Sequence, residues 1–471
     1  MDDHLQEKCA VVGVWDKNDD VARTTYFALF AQQHRGQEQT GIAVITDSGI
    51  QVHKASGLVS QVYTEEIIQG LKSTVAIGHN RYSTSKGTDS SHAQPVVLEN
   101  AISLAHNGNL PSMVALESFI SSNGKDPSGY SDSELMAMAI QVYREKGELL
   151  SKAVLSATSL FTGSYSAVAL GDNSLVAFRD PCGIRPLSIG ILPSGGYIVA
   201  SETCALQTVS AVFLRDIAPG EIVTIDNDGL RSDIFAQPNQ KIDVFEFVYF
   251  ARHDSTILGR LVYQTRFDAG KELAKEYTMP IDVVVPVPET SIPAAMGYAT
   301  ARNIPFHLAL NKNRYIHRTF IEPQQKDREK NVHMKFTVLS SLVVGKRVAL
   351  IDDSIVRGTT SQQIIKMLFK AGAKEVHFLS VSPPVRFPDF YGIDTPDQKN
   401  LIAAVKTISE IREYLGATAL HFLSLDGLVR SIGLPRENLC LSCFNGEYPI
   451  DLGERIKDVD YKIPCLEKIC F

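Results

Sequence analysis

The stretch Val348-Ala-Leu-Ile-Asp352-Asp353-Ser-Ile-Val-Arg357-Gly358-Thr359-Thr360 predicts a strand, a loop and the start of a helix. Its leading apolar residues are typical of a strand buried on both faces, and the strand stops at two adjacent carboxylates. The predicted helix has four apolar positions between Ile364 and Leu368, and Gly372 marks its end. Similar apolar runs alternate with helix-like segments from about residue 255 onward. This alternation indicates a parallel α/β sheet in the second half of the chain.

The loop and the helix start have the chemistry of a phosphate site. The hydroxyls of Thr359 and Thr360 and the free amides of the helix start would donate to an anion, which the helix dipole also favours. Asp352 and Asp353 can hold ribose hydroxyls or a hydrated Mg²⁺, which prefers one or two carboxylates plus substrate oxygens. Two aspartates at a strand end are usually just solvated, so the prediction rests on the whole strand–loop–helix string.

This string resembles the phosphoribosyl-pyrophosphate motif of type I phosphoribosyltransferases. The resemblance implies that Asp352 and Asp353 lie near the ribose and Mg²⁺. It also implies that the loop surrounds the 5′-phosphate of the sugar. The loop residues that match the motif are Ser354, Arg357, Gly358, Thr359 and Thr360.

Two further segments match that family. In Val285-Pro-Val-Pro-Glu289-Thr290-Ser291, Glu289 matches a pyrophosphate contact and Thr290 a hydroxyl that helps to hold the metal. The segment from Lys312 onward matches a mobile loop that closes over the substrate, because a hydrolysis-prone sugar cation requires the exclusion of water. A basic loop alone is usually solvated surface, so Arg314 and Arg318 are assigned to this loop by the resemblance.

The first half of the chain, from Cys9 to about residue 235, has a different pattern. Short strands are separated by Gly, Asn and Asp, and the pattern predicts a sandwich of sheets that carries helices. The polar, proline-containing segment 226–243 is predicted to be the linker. Helical spacing interrupts the strands in Tyr26–Gln33, Leu116–Ser121 and Ser133–Lys146.

Five polar clusters lie at or near the ends of these predicted elements. A lone cysteine at the start of a strand is most often simply buried. Converging polar loops, however, are where sites are built, so in this company Cys9 is a candidate nucleophile. The clusters are Cys9, Gln33-His-Arg-Gly-Gln-Glu38, Gly78-His-Asn-Arg81-Tyr-Ser-Thr84, His106-Asn107-Gly108-Asn109 and Ser131-Asp132-Ser-Glu134.

Together the clusters resemble the glutaminase domain of class II amidotransferases, which are N-terminal-nucleophile (Ntn) hydrolases with an αββα sandwich. The resemblance implies that removal of residues 1–8 makes Cys9 the first residue. Its thiol would attack the glutamine amide, and its freed α-amine would act as the base near neutral pH. If residues 1–8 stayed attached, Cys9 would have no free amine and the glutaminase should be silent.

The same resemblance assigns the residues around the nucleophile. Asn107 and the Gly108 amide would form the oxyanion hole, where fixed donors stabilise developing negative charge. Arg81 would bind the carboxylate of glutamine and Asp132 its ammonium, by charge complementarity. The ammonia released at this site would have to reach the ribose without meeting bulk water.

The two halves in this order resemble the amidophosphoribosyltransferase family from Cys9 to at least Tyr448. Class II glutaminases also serve hexosamine and asparagine synthesis, but there the C-terminal partner is a sugar-isomerase fold or an adenylating domain, which lacks DDSIVRGTT. The resemblance implies a propeptide at 1–8 and a glutaminase domain at 9–236. A phosphoribosyltransferase domain with a C-terminal extension would occupy 237–471.

The implied activity is the first committed step of de novo purine synthesis. Glutamine, 5-phosphoribosyl 1-pyrophosphate and water would give 5-phosphoribosylamine, glutamate and pyrophosphate. The family also implies Mg²⁺, inhibition by purine nucleotides and a homotetramer. The alternative is a non-catalytic phosphoribosyl- or nucleotide-binding regulator with a decayed glutaminase, which would bind ligands without turnover. Residues suited to catalysis at every matched position favour the enzyme.

One branch of the family carries a 4Fe–4S cluster held by four cysteines. Cys440 and Cys443 align with two of these ligands, but the other two positions fall on Asp243 and Asp389. Aspartate is a poor ligand for a soft iron–sulfur site. Nothing in the spacing of the remaining C-terminal cysteines supports them as substitutes, so we expect no cluster.

Composition excludes several other classes of protein. The net charge of −7 argues against a nucleic-acid binder, which needs basic surface. No apolar run approaches the ~20 residues that span a bilayer, so no membrane contact is expected. Residues 1–8 lack the apolar stretch of a secretion signal. Seven cysteines, an odd number, make a disulfide framework improbable, and a reducing, cytoplasmic compartment is predicted.

Overall fold

The structure, a computed structural model, describes residues 6–7, 9–81, 93–99, 101–313, 336–394 and 397–461. The first half contains two antiparallel sheets. Seven strands form the first sheet, in the order Val212–Asp216, Ser188–Ile191, Tyr197–Ala200, Cys9–Trp15, Val75–Arg81, Gln39–Thr46 and Gly49–Ser56. Six strands form the second, in the order Gly229–Ile234, Glu221–Asp226, Ser174–Arg179, Thr162–Gly171, Ile102–Ser112 and Val96–Leu98.

The two sheets pack face to face, because alternate residues of their strands are apolar and point inward. Val11, Ile77 and Val168 belong to the core between the sheets. Helices cover the outer face of the first sheet at Val21–Ala31, Val59–Val62, Glu65–Gly70 and Thr203–Thr208. Helices cover the outer face of the second sheet at Val114–Ser122, Asp132–Glu145 and Leu150–Ala157. The predicted αββα sandwich is confirmed.

The second half is built on a parallel sheet, as predicted. Its strands are ordered Val283–Pro286, Arg347–Asp352, Glu375–Ser380 and Ala419–Phe422. Alternate residues of the strand Arg347–Asp352 pack into hydrophobic cores on opposite faces of the sheet. Ala349 and Ile351 belong to one core, and Val348 and Leu350 belong to the other. Both faces are covered, by helices at Val262–Glu276, Ile292–Arg302, Thr359–Lys370, Ile402–Val405, Ile408–Leu415, Leu425–Ile432 and Ser442–Asn445.

Short elements complete the fold. Four two-stranded ladders pair Gln6–Glu7 with Ile393–Asp394, Ile242–Asp243 with Leu439–Cys440, Thr256–Ile257 with Arg260–Leu261, and Leu310–Lys312 with Phe336–Val338. A π-helical segment occupies Glu246–Phe250. Short 3₁₀ helices lie at Gln33–Arg35, Thr158–Leu160, Ser340–Leu342, Gln398–Asn400, Arg436–Asn438 and Gly453–Asp458.

The predicted linker at 226–243 is too long. Residues Gly229–Ile234 pair with Glu221–Asp226 as the edge strand of the second sheet. Residues 231–234 of this edge strand are exposed, so its sequence is polar and resembles a linker. Ile242–Asp243 also forms a ladder with the C-terminal extension, which leaves 235–241 as the connection.

Two glycines, Gly270 and Gly297, allow the helices Val262–Glu276 and Ile292–Arg302 to cross closely. A Cβ added at Gly270 would lie 1.8 Å from the carbonyl oxygen of Ala294, so Gly270→Ala must push the helices apart. We expect Gly270→Ala to lower the free energy of unfolding by about 1–3 kcal/mol, as overpacking does. Gly70→Ala is the control, because a Cβ there meets nothing within 4 Å. Urea unfolding followed by circular dichroism measures the stability of both variants. Equal stability of the two would contradict the close contact of the helices at Gly270.

Candidate functional site

Cys9 and Arg81 lie side by side at one end of the sandwich. Cys9 begins the central strand of the first sheet, directly opposite Arg81, and Val11 lies opposite His79. Directly opposed residues of an antiparallel pair point to the same face, as do residues two positions apart. Because Val11 belongs to the core between the sheets, Cys9 and Arg81 also face the second sheet. The Cys9 residue is 6% exposed, and Arg81 Nη1 donates to Gln39 Oε1 at 3.4 Å.

Asn107 faces this pair from the second sheet. Its neighbour Ala105, two positions earlier, packs in the core between the sheets, so Asn107 points inward too. His79 Nε2 lies 3.3 Å from the His106 carbonyl oxygen and joins the two strands at this level. Burial lowers the pKa of His79 to about 3, so it is neutral. The side chain of Asn107 is fully buried, and neither Nδ2 nor Oδ1 has a hydrogen-bond partner among the described residues. A buried side-chain amide without hydrogen-bond partners destabilises the fold unless a bound ligand supplies those partners.

Gly108 adopts a backbone that only glycine accepts at this position. Its φ is +148°, and an added Cβ would lie 2.1 Å from the Ser164 carbonyl oxygen. Next to it in space, Asp132 opens the helix Asp132–Glu145, which Ser131 caps. The Asp132 carboxylate accepts a long hydrogen bond of 3.4 Å from Leu110 N, two residues beyond Gly108. The structure therefore brings the predicted glutaminase residues Cys9, Arg81, Asn107, Gly108 and Asp132 to one end of the sandwich.

A buried ion network surrounds the backbone of Cys9. Arg35 Nε donates to the Cys9 carbonyl oxygen at 3.2 Å, while its Nη atoms donate to Glu202 and Glu246. Burial opposes the charged form of Glu202, but His34 and Arg35 outweigh it and hold the pKa of Glu202 well below its usual range. All three members of the Arg35–Glu202–Glu246 group have no exposed side-chain surface.

Arg185 extends this network into the second half of the chain. It is buried, and its Nη1 donates to Glu246 Oε1 at 3.0 Å and lies 3.4 Å from Asp243 Oδ2. Its Nε donates to the Tyr391 carbonyl oxygen at 3.2 Å. This network is not predictable from the sequence, although Arg35 belongs to the polar cluster 33–38. Glu202, Arg185 and Glu246 lie far from Arg35 in the chain, and no local spacing signals their pairing.

The predicted phosphate loop lies at the carboxyl edge of the parallel sheet. Asp352 ends its strand, and both Asp352 and Asp353 are buried. Asp353 Oδ1 accepts from Ser354 Oγ at 2.8 Å, and Asp353 Oδ2 accepts from Thr290 Oγ1 at 2.5 Å. Thr290 follows the neighbouring strand Val283–Pro286, so two strand ends meet here. The structure thus joins the two segments that were predicted to share a site.

The helix after the loop starts as predicted, at Thr359. Gly358 precedes it with a φ of +80°, and an added Cβ would lie 3.1–3.3 Å from Leu415, Ile402 and Tyr414. The Arg357 side chain is half-buried, and Thr359 and Glu289 are exposed at this edge. The predicted loop residues Arg314 and Arg318 lie outside the described residues.

The four positions aligned with cluster ligands lie close together but do not fit a cluster. Asp243 pairs with Cys440 in a short parallel ladder, and its carboxylate faces Arg185. Asp389 Oδ1 accepts from the amides of Tyr391 and Ile393. Burial raises the pKa of Cys440 and Cys443, and the nearby aspartates raise both further. Two of the four positions are carboxylates, which are poor ligands for iron–sulfur clusters. Among the described residues, no three or more His, Cys, Asp or Glu side chains are grouped so that they could hold a metal ion.

Known proteins resemble this chain over nearly its whole length. A family model described as a glutamine amidotransferase domain matches residues 79–208. The amidophosphoribosyltransferase of Synechococcus elongatus is 45% identical over 462 residues, covering 97% of this chain and 94% of that protein. The amidophosphoribosyltransferase of Bacillus subtilis is 41% identical and covers 95% of each. A solved structure of the Bacillus subtilis glutamine phosphoribosylpyrophosphate amidotransferase with ADP and GMP has a TM-score of 0.87, covering 94% of this chain and 98% of that one.

Glu246 is the carboxylate that Arg35 and Arg185 share. Glu246→Ala leaves both buried guanidinium groups without this partner, so we expect a loss of about 3–5 kcal/mol in the free energy of unfolding. Trp15, the single tryptophan, lies in the core between the sheets, and its fluorescence in urea reports the transition. Glu65→Ala, which removes an exposed partner of Arg23, is the control and should leave stability nearly unchanged. Similar stability of both variants would refute the importance of the network.

Proposed function

The chain belongs to the amidophosphoribosyltransferase family, and from this premise we propose which residues carry out its two half-reactions. The enzyme catalyses the glutamine-dependent first step of purine biosynthesis, in which glutamine, phosphoribosyl pyrophosphate and water give 5-phosphoribosylamine, glutamate and pyrophosphate. The alternative of a non-catalytic regulator is not favoured. The sandwich is the Ntn glutaminase, and the parallel-sheet half is the phosphoribosyltransferase. We place their division near residue 236, with residues 1–8 as a propeptide.

In the glutaminase half, the Cys9 sulfur attacks the side-chain carbonyl carbon of glutamine while its α-amine, freed by removal of 1–8, takes the thiol proton. The tetrahedral intermediate collapses to a thioester and ammonia, and water then hydrolyses the thioester to glutamate. The Asn107 amide and the Gly108 N–H stabilise the oxyanion of both steps. The observation that carries this proposal is the Asn107 amide, which is buried, has no hydrogen-bond partner in the described part of the chain and faces Cys9 from the opposite sheet. Arg81 and Asp132 bind the two charged ends of glutamine.

In the phosphoribosyltransferase half, ammonia adds to the anomeric carbon of the sugar as pyrophosphate leaves. Ser354, Arg357, Gly358, Thr359 and Thr360 hold the 5′-phosphate at the start of the helix Thr359–Lys370. Glu289 contacts the pyrophosphate side, and Arg314 and Arg318 close over the substrate. The Asp352–Asp353 pair with Thr290 fits Mg²⁺, which needs only one or two carboxylates when substrate oxygens complete its shell. When bound, Mg²⁺ neutralises the charge of the leaving pyrophosphate.

A small interior cavity supports passage of ammonia toward this site. Its lining includes the polar residues Asp353, Thr290 and Arg266 and the apolar residues Phe247, Val248 and Val381. Phe247 and Val248 belong to the π-helical segment whose first residue, Glu246, contacts the glutaminase half. An apolar wall admits neutral ammonia and disfavours the charged ammonium ion. Ammonia therefore stays unprotonated and able to attack the sugar.

Inhibition, assembly, location and cofactor content also belong to the proposed function. Purine nucleotides compete at the phosphate loop 354–360, consistent with the Bacillus subtilis relative having been solved with ADP and GMP. The enzyme is a homotetramer in the cytoplasm, where a reducing environment keeps the catalytic thiol free. The positions Cys440, Cys443, Asp243 and Asp389 hold no iron–sulfur cluster, because two of the four are carboxylates engaged by Arg185 or by backbone amides.

The division of labour predicts a split phenotype for Cys9→Ala. The variant should lose phosphoribosylamine formation from glutamine entirely, because the nucleophile is gone, and keep the activity with added ammonia. Cys182→Ala is the matched control, since that cysteine is also 6% exposed but packs in a hydrophobic cluster and is given no part in either half-reaction, and both activities should persist. Loss of both activities in folded Cys9→Ala protein would show that the two half-reactions are not divided in this way.

The donor set predicts the metal content. Protein purified without oxygen should contain iron and acid-labile sulfide far below the amount of one cluster per chain. Glutamine-dependent activity should survive an iron chelator in the presence of added Mg²⁺. Stoichiometric iron and sulfide, with the absorption of an iron–sulfur cluster, would overturn the proposal that these positions are empty of a cluster.

A further inference from the structure

A turn from the C-terminal half packs directly against the strand that carries the oxyanion residues. Asn109 Nδ2 donates to the Phe390 carbonyl oxygen at 2.8 Å, although 281 positions separate the two residues. A Cβ added at Gly392 would lie 3.1 Å from the Gly108 Cα, so the two backbones are in contact. The oxyanion glycine therefore lies between its own sheet and a turn from the other half.

The turn is fixed independently of Asn109. Asp389 Oδ1 accepts from the amides of Tyr391 at 2.7 Å and Ile393 at 3.1 Å, which closes the turn on itself. The Tyr391 carbonyl oxygen accepts from the buried Arg185, and the Tyr391 hydroxyl donates to the Ile450 carbonyl oxygen at 2.5 Å. The Phe390 carbonyl is thus a rigid acceptor.

The strand itself holds Gly108 less completely. Gly108 and Asn109 pair with Tyr165 and Ser164, but the register then shifts and the next pair is Ser112 with Thr162. The ladder is therefore irregular immediately after the oxyanion residues, where a bulge re-aims the backbone. The side-chain bond of Asn109 supplies a second anchor at the point where the ladder weakens.

We infer that Asn109 is a positioning residue for the glutaminase: it fastens the Gly108 backbone to the Phe390–Gly392 turn and so aims the Gly108 N–H at the oxyanion. The inference rests on the proposed role of Gly108. An oxyanion donor acts only when it lies at hydrogen-bond distance from the developing charge. A small displacement of the Gly108 N–H therefore raises the free energy of the transition state more than it weakens the binding of glutamine. The contact makes the C-terminal half a structural part of the glutaminase site.

The test uses the mature enzyme with Asn109→Ala and Asn109→Asp, neither of which can donate to Phe390. The kcat for glutamine hydrolysis should fall about tenfold, less than the ~10²–10³ that follows removal of an oxyanion donor itself. The KM for glutamine and the ammonia-dependent activity should stay unchanged. Glutamate γ-semialdehyde gives a second readout: the Cys9 thiol adds across its aldehyde, the thiol proton ends on the oxygen, and nothing leaves. This analogue should inhibit the variants about tenfold more weakly.

Asn123→Ala is the matched control. Asn123 Nδ2 also donates to a phenylalanine carbonyl oxygen, that of Phe119, at 2.8 Å, but on the outer helix Val114–Ser122. It should retain the full kcat. An unchanged kcat in Asn109→Asp, or equal loss of glutamine- and ammonia-dependent activities, would overturn the inference. If the unsubstituted enzyme itself fails to use glutamine, the proposed function fails instead, and the two failures are thereby distinguished.

Discussion

One buried carboxylate, Glu246, is shared by two buried arginines that both come from the glutaminase half, Arg35 and Arg185. Charges removed from water are tolerated only when their partners are in place, so this pairing fixes how the two halves sit together. Arg35 also holds the carbonyl oxygen of Cys9, and Arg185 holds that of Tyr391. The position of the nucleophile and the seating of the C-terminal half therefore depend on the same ion network.

The contacts continue from this network toward the phosphate site. Glu246 begins the segment Glu246–Phe250, and the buried Arg266 donates to the carbonyl oxygens of Phe247 and Ala251. Burial lowers the pKa of Arg266 to about 10, and the nearby Asp353, which lines the same small cavity, opposes this shift. A continuous set of packed and charged groups thus joins Cys9 to Asp353. Contact continuity gives a physical basis on which occupancy of one site can alter the other.

Local sequence patterns predicted the secondary-structure elements. They could not predict which side chains, distant in the chain, pair in the folded protein. The string from Val348 to Thr360 contains a complete strand, turn and helix start, so its structure and its carboxylates could be read directly. The cluster around Asn107 and Gly108 likewise marked a site. Arg185 and Glu246 could not be paired, because buried ion pairs across domains leave no periodic pattern. The edge strand Gly229–Ile234 resembles a linker in sequence because three of its four exposed residues, Arg231, Ser232 and Asp233, are polar.

Because the ion network and the segment Glu246–Phe250 lie between the two sites, we expect binding of the sugar at one site to change the activity of the other. The most direct measurement is glutamate release from glutamine by the mature protein, with and without phosphoribosyl pyrophosphate and Mg²⁺. The basal rate should be low and should rise strongly when the sugar is present. A rate that is identical under both conditions would contradict communication between the sites, and no glutamate under either would contradict a functional Cys9.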